Sequence, residues 1–445
     1  MHDGTAIGMV SNLTSLDDFS FIKGGERVAL SKADQPFDWD TAAGVVRGQL
    51  SDALTARNLA FLFGSGCSSF MSEGKQVGIP TMAPIATAFL KEVGPTDESP
   101  FVSAAERKWL KDWLGLDIQA EQFARNLERL MESLYGARFV LAGTKEENPA
   151  KLLEVVSRVI QKVSRHVLTS CTTGPFANGD DTVLNIYQAF YQKLLMRDRT
   201  LPRPWIFTTN YDLFNERAMD RRGIPYCNGF SGVIERRFNP AVFRYALAEQ
   251  LDITSRKWTA VDSFVYLCKL HGSLNWIEDG ETLFPVRELA STPTADTDRV
   301  LIYPTPAKQS ASFASPYADL FREFQARIVR DQSVLVTVGY SFGDQHINNI
   351  IFQALTIPNF RLIAFVPNDA EGVIGQLRAL ADPRIWMIGG DGMLSLRPAH
   401  YFDAFVQSFM PELPSNRIED AVSKVVKSFV TPPSTDAGNG ADDGF

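Results

Sequence analysis

Cysteine is scarce in this chain of 445 residues: Cys67, Cys171, Cys227 and Cys268 are the only four, and each lies far from the next. No C-x-x-C pair occurs, so neither a disulfide framework nor a structural zinc site is indicated. An excess of positive charge is missing too. The formal net charge is −8, whereas nucleic-acid-binding domains ordinarily carry a basic surplus, so direct nucleic-acid binding is not expected. No apolar run approaches the ~20 residues that span a bilayer. The opening Met1-His-Asp-Gly4 lacks the basic and apolar regions of a signal peptide. The expectation is a soluble, cytoplasmic protein with no membrane role. No internal repeat is visible. What remains is an ordinary globular composition, 45% hydrophobic and 22% charged, in a chain long enough to bury a large core.

The texture changes along the chain. Residues 1–57 are mixed, with a helix expected over Trp39 to Ala56 on the strength of Val45, Val46, Leu50 and Leu54. Asn58-Leu-Ala-Phe-Leu-Phe63 has the pattern of a buried strand. From 81 to 200 the pattern is helical. Phe123, Leu127, Leu130, Met131 and Leu134 share one helical face, and Leu152, Leu153, Val156, Ile160 and Val163 form another. From 203 onward, apolar strand-like runs at 205–207, 264–270, 334–338, 361–366 and 385–388 alternate with helical stretches. Such alternation predicts an α/β fold: a Rossmann-like, doubly wound parallel sheet with a large helical insertion. The expected division is an N-terminal helical segment at 1–57, an α/β domain at 58–430 containing the insertion at 81–200, and a disordered tail at 431–445.

Two constellations carry chemistry. Asn210 and Asp212 lie in Phe207-Thr-Thr-Asn-Tyr-Asp212, and His271 lies in Tyr266-Leu-Cys-Lys-Leu-His-Gly-Ser273. Each follows an apolar strand, and ligands of open α/β sheets bind at the carboxyl ends of strands. One cleft holding an amide and an imidazole is therefore expected. Asp212 or Asn210 also suits a helix N-cap, which explains one of them but not the whole Thr-Thr-Asn-Tyr-Asp cluster. Of the five histidines, His166 reads as surface, His2 is terminal, and His400 lies in a late loop without a cluster around it. Gly64-Ser-Gly66-Cys-Ser68 follows a strand and has the small residues that let backbone N–H groups approach a phosphate, helped by a following helix N-terminus. It is an incomplete dinucleotide fingerprint, since Ser69 takes the third glycine position, and a plain tight turn explains it equally well. Gly339-Tyr-Ser-Phe-Gly-Asp344 makes a further loop at a strand end, with Asp344 suited to cap the next helix. Formally it also fits a G-x-S-x-G hydrolase elbow, although its nearest histidine, His346, lies on the very next helical turn.

The order of these motifs resembles the sirtuin-like (silent information regulator two-like) family of NAD-binding proteins. Gly64-Ser-Gly-Cys-Ser68 is similar to its Gly-Ala-Gly-x-Ser phosphate loop, Gly78-Ile-Pro80 to its Gly-Ile-Pro, and Thr208-Thr-Asn-Tyr-Asp212 to its Thr-Gln-Asn-Ile-Asp. Lys269-Leu-His-Gly272 matches the strand carrying the family's catalytic histidine. Gly339-Tyr-Ser341 and Val366-Pro-Asn368 fall where the family binds the adenosine half. The resemblance spans about 58 to 390. It departs from the deacylases in lacking their zinc module and in carrying Thr81-Met-Ala83 where Asp-Phe-Arg is expected, so no zinc is expected. The pattern looks like the bacterial branch that hydrolyses NAD in antiphage defence. The resemblance then implies NAD as substrate, no other cofactor, a homo-oligomer, and a protein partner such as a HerA-type ATPase. It implies Asn210, His271 and Asp212 as catalytic residues. Gly64, Ser65, Gly66, Ser68 and Thr209 would hold the cofactor, with Gly339, Ser341 and Asn368 at the adenosine ribose. A non-hydrolytic NAD or ADP-ribose sensor and a deacylase are the alternatives.

Overall fold

A computed structural model describes residues 19–31, 37–72, 75–91, 101–143, 147–252, 257–279, 284–292, 300–302, 316–368, 371–390 and 398–413. The tail expected at 431–445 and His2 lie outside these residues. The chain opens with the short strands β1 (Phe19–Lys23) and β2 (Glu26–Arg27), then helix α1 (Trp39–Leu54), capped by the Asp38 carboxylate at the Thr41 N–H, and strand β3 (Asn58–Phe63). A hairpin of β4 (Ser69–Ser72) and β5 (Lys75–Gly78) precedes five helices: α2 (Met82–Leu90), α3 (Ala104–Leu114), α4 (Leu127–Ala142), α5 (Glu147–Thr172) and α6 (Thr182–Leu194).

After them come β6 (Trp205–Thr208), α7 (Phe214–Arg222), the short strands β7 (Tyr226–Cys227), β8 (Phe230–Ser231) and β9 (Arg236–Phe238), and a hairpin of β10 (Ala248–Asp252) and β11 (Lys257–Ala260). Then follow β12 (Val265–Lys269), β13 (Gly272–Glu278), β14 (Val286–Glu288), β15 (Val300–Ile302), α8 (Tyr317–Ile328), β16 (Ser333–Val338), α9 (Gln345–Leu355), β17 (Arg361–Phe365), α10 (Gly372–Ala379) and β18 (Ile385–Gly390).

The main sheet has the order β2-β1-β18-β17-β16-β3-β6-β12-β7. From β18 to β7 every pairing is parallel, and only β1 and β2 run antiparallel at the edge. The fold is thus α/β with a largely parallel, mixed sheet, as the alternation of apolar runs indicates. The reason is visible in β3. Leu59, Phe61 and Phe63 enter the hydrophobic cluster on one face, while Ala60 and Leu62 enter the cluster on the other. A strand buried on both faces reads as a continuous apolar run rather than an alternating one. Strand β1 was not legible in this way, because Phe19-Ser-Phe-Ile-Lys23 lies at the rim and is short.

Chain order fixes where a ligand fits. The chain leaves β3, builds β6 and β12 on one side, then returns to β16 on the other. The direction of winding therefore reverses between β3 and β16, which is the switch point where open sheets bind ligands. The five helices α2–α6 lie between β5 and β6 in the chain, and α2–α5 pack together as a block. The helical face containing Phe123 is real but divided: Asn126 caps α4 at the Arg129 N–H, and Phe123 sits in the preceding 3₁₀ turn, still buried.

Candidate functional site

The loops that end β3, β6, β12 and β16 open onto one cavity of about 540 Å³, within the usual range for small-molecule sites. It is lined by Gly64, Ser65, Gly66, Ser68, Thr209, Asn210, Asp212, His271, Gly339 and Ser341. Ten of the expected site residues therefore converge. Asn368 stands apart. Its side-chain oxygen accepts from the Ser20 hydroxyl at 2.6 Å and its carbonyl from Arg378 at 3.1 Å, stitching β17 to β1, while its neighbour Pro367 lines the cavity.

The glycine loops are shaped by each other. A Cβ on Gly64 would come within 2.3 Å of the Gly339 carbonyl oxygen, and one on Gly339 within 2.6 Å of the Cys67 nitrogen. The Gly66 N–H donates to the Gly339 carbonyl at 3.0 Å. Thus the small residues are required by contact between the β3 and β16 loops at the switch point. The helix N-terminus expected after this turn is absent. Ser65–Ser68 forms a single 3₁₀ turn that runs straight into the β4–β5 hairpin.

Asn210 is 5% exposed and rigidly held. Its amide nitrogen donates to the Gly64 carbonyl at 2.9 Å and to the Ser68 hydroxyl at 2.8 Å, and its backbone N–H donates to Thr208 Oγ1 at 3.0 Å. Ser68 in turn donates to Asp212 Oδ2 at 2.5 Å, and Asp212 Oδ1 accepts the Phe214 N–H at 3.0 Å. Neither Asp212 nor Asn210 is the α7 N-cap, which is Leu213; Asp212 accepts the first helical N–H from just before it, and its second oxygen orients Ser68 and, through it, Asn210. With both amide hydrogens committed, Asn210 Oδ1 has no partner although it is buried. Leaving such an acceptor unpaired costs about 1–3 kcal/mol, which a bound donor would recover.

Below this turn lies a strut that sequence reading missed. Lys269 is buried, and its ammonium donates to Glu216 Oε1 at 3.0 Å, to the Ser273 hydroxyl at 2.8 Å, and to the Tyr211 and Asp212 carbonyls. It ties the Asn210 loop to the strand that delivers His271. Gly272 has φ +94°, a conformation glycine adopts freely, and it lets the chain reverse immediately after His271.

The ring of His271 is held at both nitrogens. Nε2 lies 2.8 Å from Asp344 Oδ2 and Nδ1 3.5 Å from Glu128 Oε1. Burial disfavours a charged ring, but the hydrogen bonds and charges of the two carboxylates outweigh it and raise the pKa to about 10. His271 is thus an imidazolium at neutral pH. Asp344 and Glu128 are conversely held below their ordinary values: burial opposes their ionisation, and the His271 cation overcomes it. Asp344 is also the α9 N-cap, with Oδ1 accepting the His346 and Ile347 N–H groups at 2.7 and 3.1 Å. The cap reading was right and incomplete, since the other oxygen serves the site. Glu128, on the first turn of α4, gave no sequence signal.

A second histidine reaches the cavity. His400 lines it beside Tyr401, Pro367 and Phe365, at the β17–β18 side, although the sequence showed no cluster around it. Burial alone lowers its pKa to about 4, and Nδ1 is buried without a partner. His166 is not a surface group either: Nε2 lies 3.0 Å from the Ile85 carbonyl, and the ring packs on Phe89 and Phe101. Cys171, which lines the cavity, is pushed by burial to about 12 and remains a neutral thiol. Ser341 is exposed, and no hydrogen bond joins it to a histidine among the described residues. His346 is exposed on α9, so the hydrolase-elbow alternative lacks an assembled serine–histidine pair. Among the described residues no group of metal-binding side chains comes together, and no helix is long and apolar enough to cross a membrane.

An open α/β sheet with its cavity at the switch point, lined by an orphaned amide and a clamped imidazolium, places the protein in the Rossmann-like class of folds. Comparison with known families narrows this. A family description, the SIR2-like domain, matches residues 204–385, from the start of β6 into β18, a stretch that includes Asn210, Asp212, His271, Gly339 and Ser341. A SIR2-like domain therefore occupies this part of the chain, and such a domain implies use of NAD. No curated protein matches the chain.

Proposed function

We propose that this protein is an NAD glycohydrolase, converting NAD and water to nicotinamide, ADP-ribose and a proton. The observation that carries the reading is Asn210. Its amide is locked by Gly64 and Ser68, and its unpaired oxygen is buried in a cavity shared with the His271 imidazolium. Breaking the nicotinamide–ribose bond develops oxocarbenium-like charge on the sugar. Nicotinamide leaves as a neutral molecule and needs no strong general acid. The demands on the protein are to hold the ribose, direct a water to the anomeric carbon and favour the developing charge.

Asn210 Oδ1 suits the water or a ribose hydroxyl, accepting one of its hydrogens. Asp212 orients the Ser68–Asn210 pair and adds negative charge nearby. Donating to a ribose hydroxyl fits the state of His271, whereas acting as base on the water does not, because an imidazolium has no lone pair with which to take a proton. The backbone around Gly64, Ser65, Gly66 and Ser68 suits the pyrophosphate, with Thr209 beside it. Gly339 and Ser341 suit the adenosine half. The wider setting is carried by the resemblance: an antiphage effector that depletes NAD, as a homo-oligomer and with a partner such as a HerA-type ATPase.

The test is release of nicotinamide and ADP-ribose from NAD by the full chain, beside Asn210→Ala and His271→Ala. Turnover in the parent and a loss of about 10²-fold or more in each variant is the expected result. NAD bound with no release, in the presence of a co-purified partner, would make the protein a sensor instead. Neither binding nor release would end the NAD reading.

A further inference from the structure

The helical block lines the cavity from α2, from α5 and from the start of α4, and its charged side chains there come from the last of these. Arg125, Asn126 and Glu128 line the same wall. Asn126 caps the helix, and Leu127, Leu130 and Met131 bury its inner face, so the first turn is fixed in place. Glu128 projects from it with 39% of its side chain exposed. Both of its protein contacts use Oε1, which accepts the Tyr211 hydroxyl at 2.7 Å and faces His271 Nδ1 at 3.5 Å. The second oxygen is left for a ligand. A carboxylate acceptor beside an imidazolium donor matches one chemical group closely. A sugar hydroxyl donates one hydrogen bond and accepts another, and acidic side chains are the usual receptors of ribose hydroxyls in dinucleotide sites. Asn210, whose buried Oδ1 lacks a partner, lines the same cavity as a separate sign of a missing donor.

We propose that Glu128 is a ribose-binding residue of this site. Its free oxygen accepts a hydroxyl of the sugar next to the scissile bond, and the His271 Nδ1–H, held only at 3.5 Å by Oε1, donates to the same sugar in place of that contact. This rests on the NAD reading given above. It makes the helical block part of the active site rather than a cover for the sheet. The long 3.5 Å contact between Glu128 and His271 is the one a ribose hydroxyl would bridge, with Asp344 keeping the ring in place from the other side. The charged and titratable groups around the ring are Glu128 from α4 and Asp344 from the α9 cap, with the Tyr211 and Tyr340 phenols behind them.

The experiment compares the full chain with Glu128→Gln, which keeps shape and size while removing the charge. Three probes are used: NAD and two NAD analogues, each lacking one hydroxyl of the nicotinamide ribose. The readouts are dissociation constants and, where turnover occurs, kcat/KM. Glu128→Gln should weaken NAD recognition about 10- to 100-fold, the worth of one hydrogen bond to a charged group. That loss should largely vanish for the analogue whose missing hydroxyl is the one Glu128 holds. The variant should also lower the titration midpoint of His271, followed by NMR of the ring; this checks the Glu128–His271 contact, while the analogue comparison checks the ribose contact. Equal losses for all three probes would overturn the proposal, as would parent-like behaviour with NAD. Increased turnover would show instead that Glu128 restrains the site, and would overturn it as well. A parent protein that does not bind NAD would refute the functional reading itself, whereas normal NAD binding by both proteins would refute only the role of Glu128.

Discussion

Two histidines line the cavity in opposite states. His271 is a cation at neutral pH, with its pKa raised to about 10, and His400 is neutral, with its pKa lowered to about 4. Burial pushes both toward neutrality, so burial does not distinguish them. Partners do. His271 faces Asp344 and Glu128, brought from α9 and α4, whereas His400 has a buried nitrogen with nothing to bond and an aromatic neighbour, Tyr401. Residue type alone therefore says little about a histidine's chemistry. At the β12 end the imidazole donates hydrogen bonds and carries charge. At the β17–β18 end it keeps one acceptor and one donor available.

A further buried cation, Lys269, lies beneath the Asn210 loop, and there the largest effect is expected. Lys269→Met would leave Glu216 buried without its cation, and stranding one member of a buried ion pair costs about 3–5 kcal/mol. Thermal unfolding of Lys269→Met should show this loss, and the double variant Lys269→Met with Glu216→Leu should recover much of it. No recovery would mean that the hydrogen bonds to the Tyr211 and Asp212 carbonyls, rather than charge pairing, carry the strut.

The histidines themselves predict opposite responses of stability to pH. His271 has a folded pKa above its ordinary value of 6.5. Its contribution is complete below 6.5 and is lost as pH rises toward about 10. His400 has a folded pKa below 6.5. Its neutral form is favoured in the folded state, so its contribution is present above 6.5 and declines as pH falls toward about 4. Denaturant midpoints measured across this range should therefore fall on the alkaline side less steeply in His271→Gln than in the parent. The acid side should fall less steeply in His400→Gln, by a smaller amount, because the pKa of His400 is displaced less from 6.5 than that of His271. Unchanged slopes in both variants would show that neither ring is perturbed as described.

How much of this was legible beforehand follows from what each residue answers to. The central strands announced themselves because burial on both faces leaves uninterrupted apolar runs, as in Asn58–Phe63 and Ser333–Val338. The loops at their carboxyl ends brought Asn210, Asp212, His271, Gly64 and Gly339 together because the winding of a parallel sheet requires it. The partners of those residues were not legible. Glu128 lies 143 positions before His271 and looks like any acidic residue on a helix's first turn. Asp344 displayed only its capping role, and Lys269 only its place in an apolar run. His400 was hidden because a neutral buried histidine needs no cluster of charged neighbours. The sequence motifs identify side chains, whereas charge state depends on contacts across the chain.

The most direct test of the account is the pH dependence of nicotinamide release from NAD by the full chain between pH 6 and 9, a window lying below the value of about 10 given for His271. If His271 serves as an imidazolium donor beside Asn210, release is present at pH 6 and does not rise through 6.5, and it disappears in Asn210→Ala. A rate that climbs with a midpoint near 6.5 and loses that climb in His271→Gln would mean a neutral imidazole acts as base, and would contradict the assignment made here.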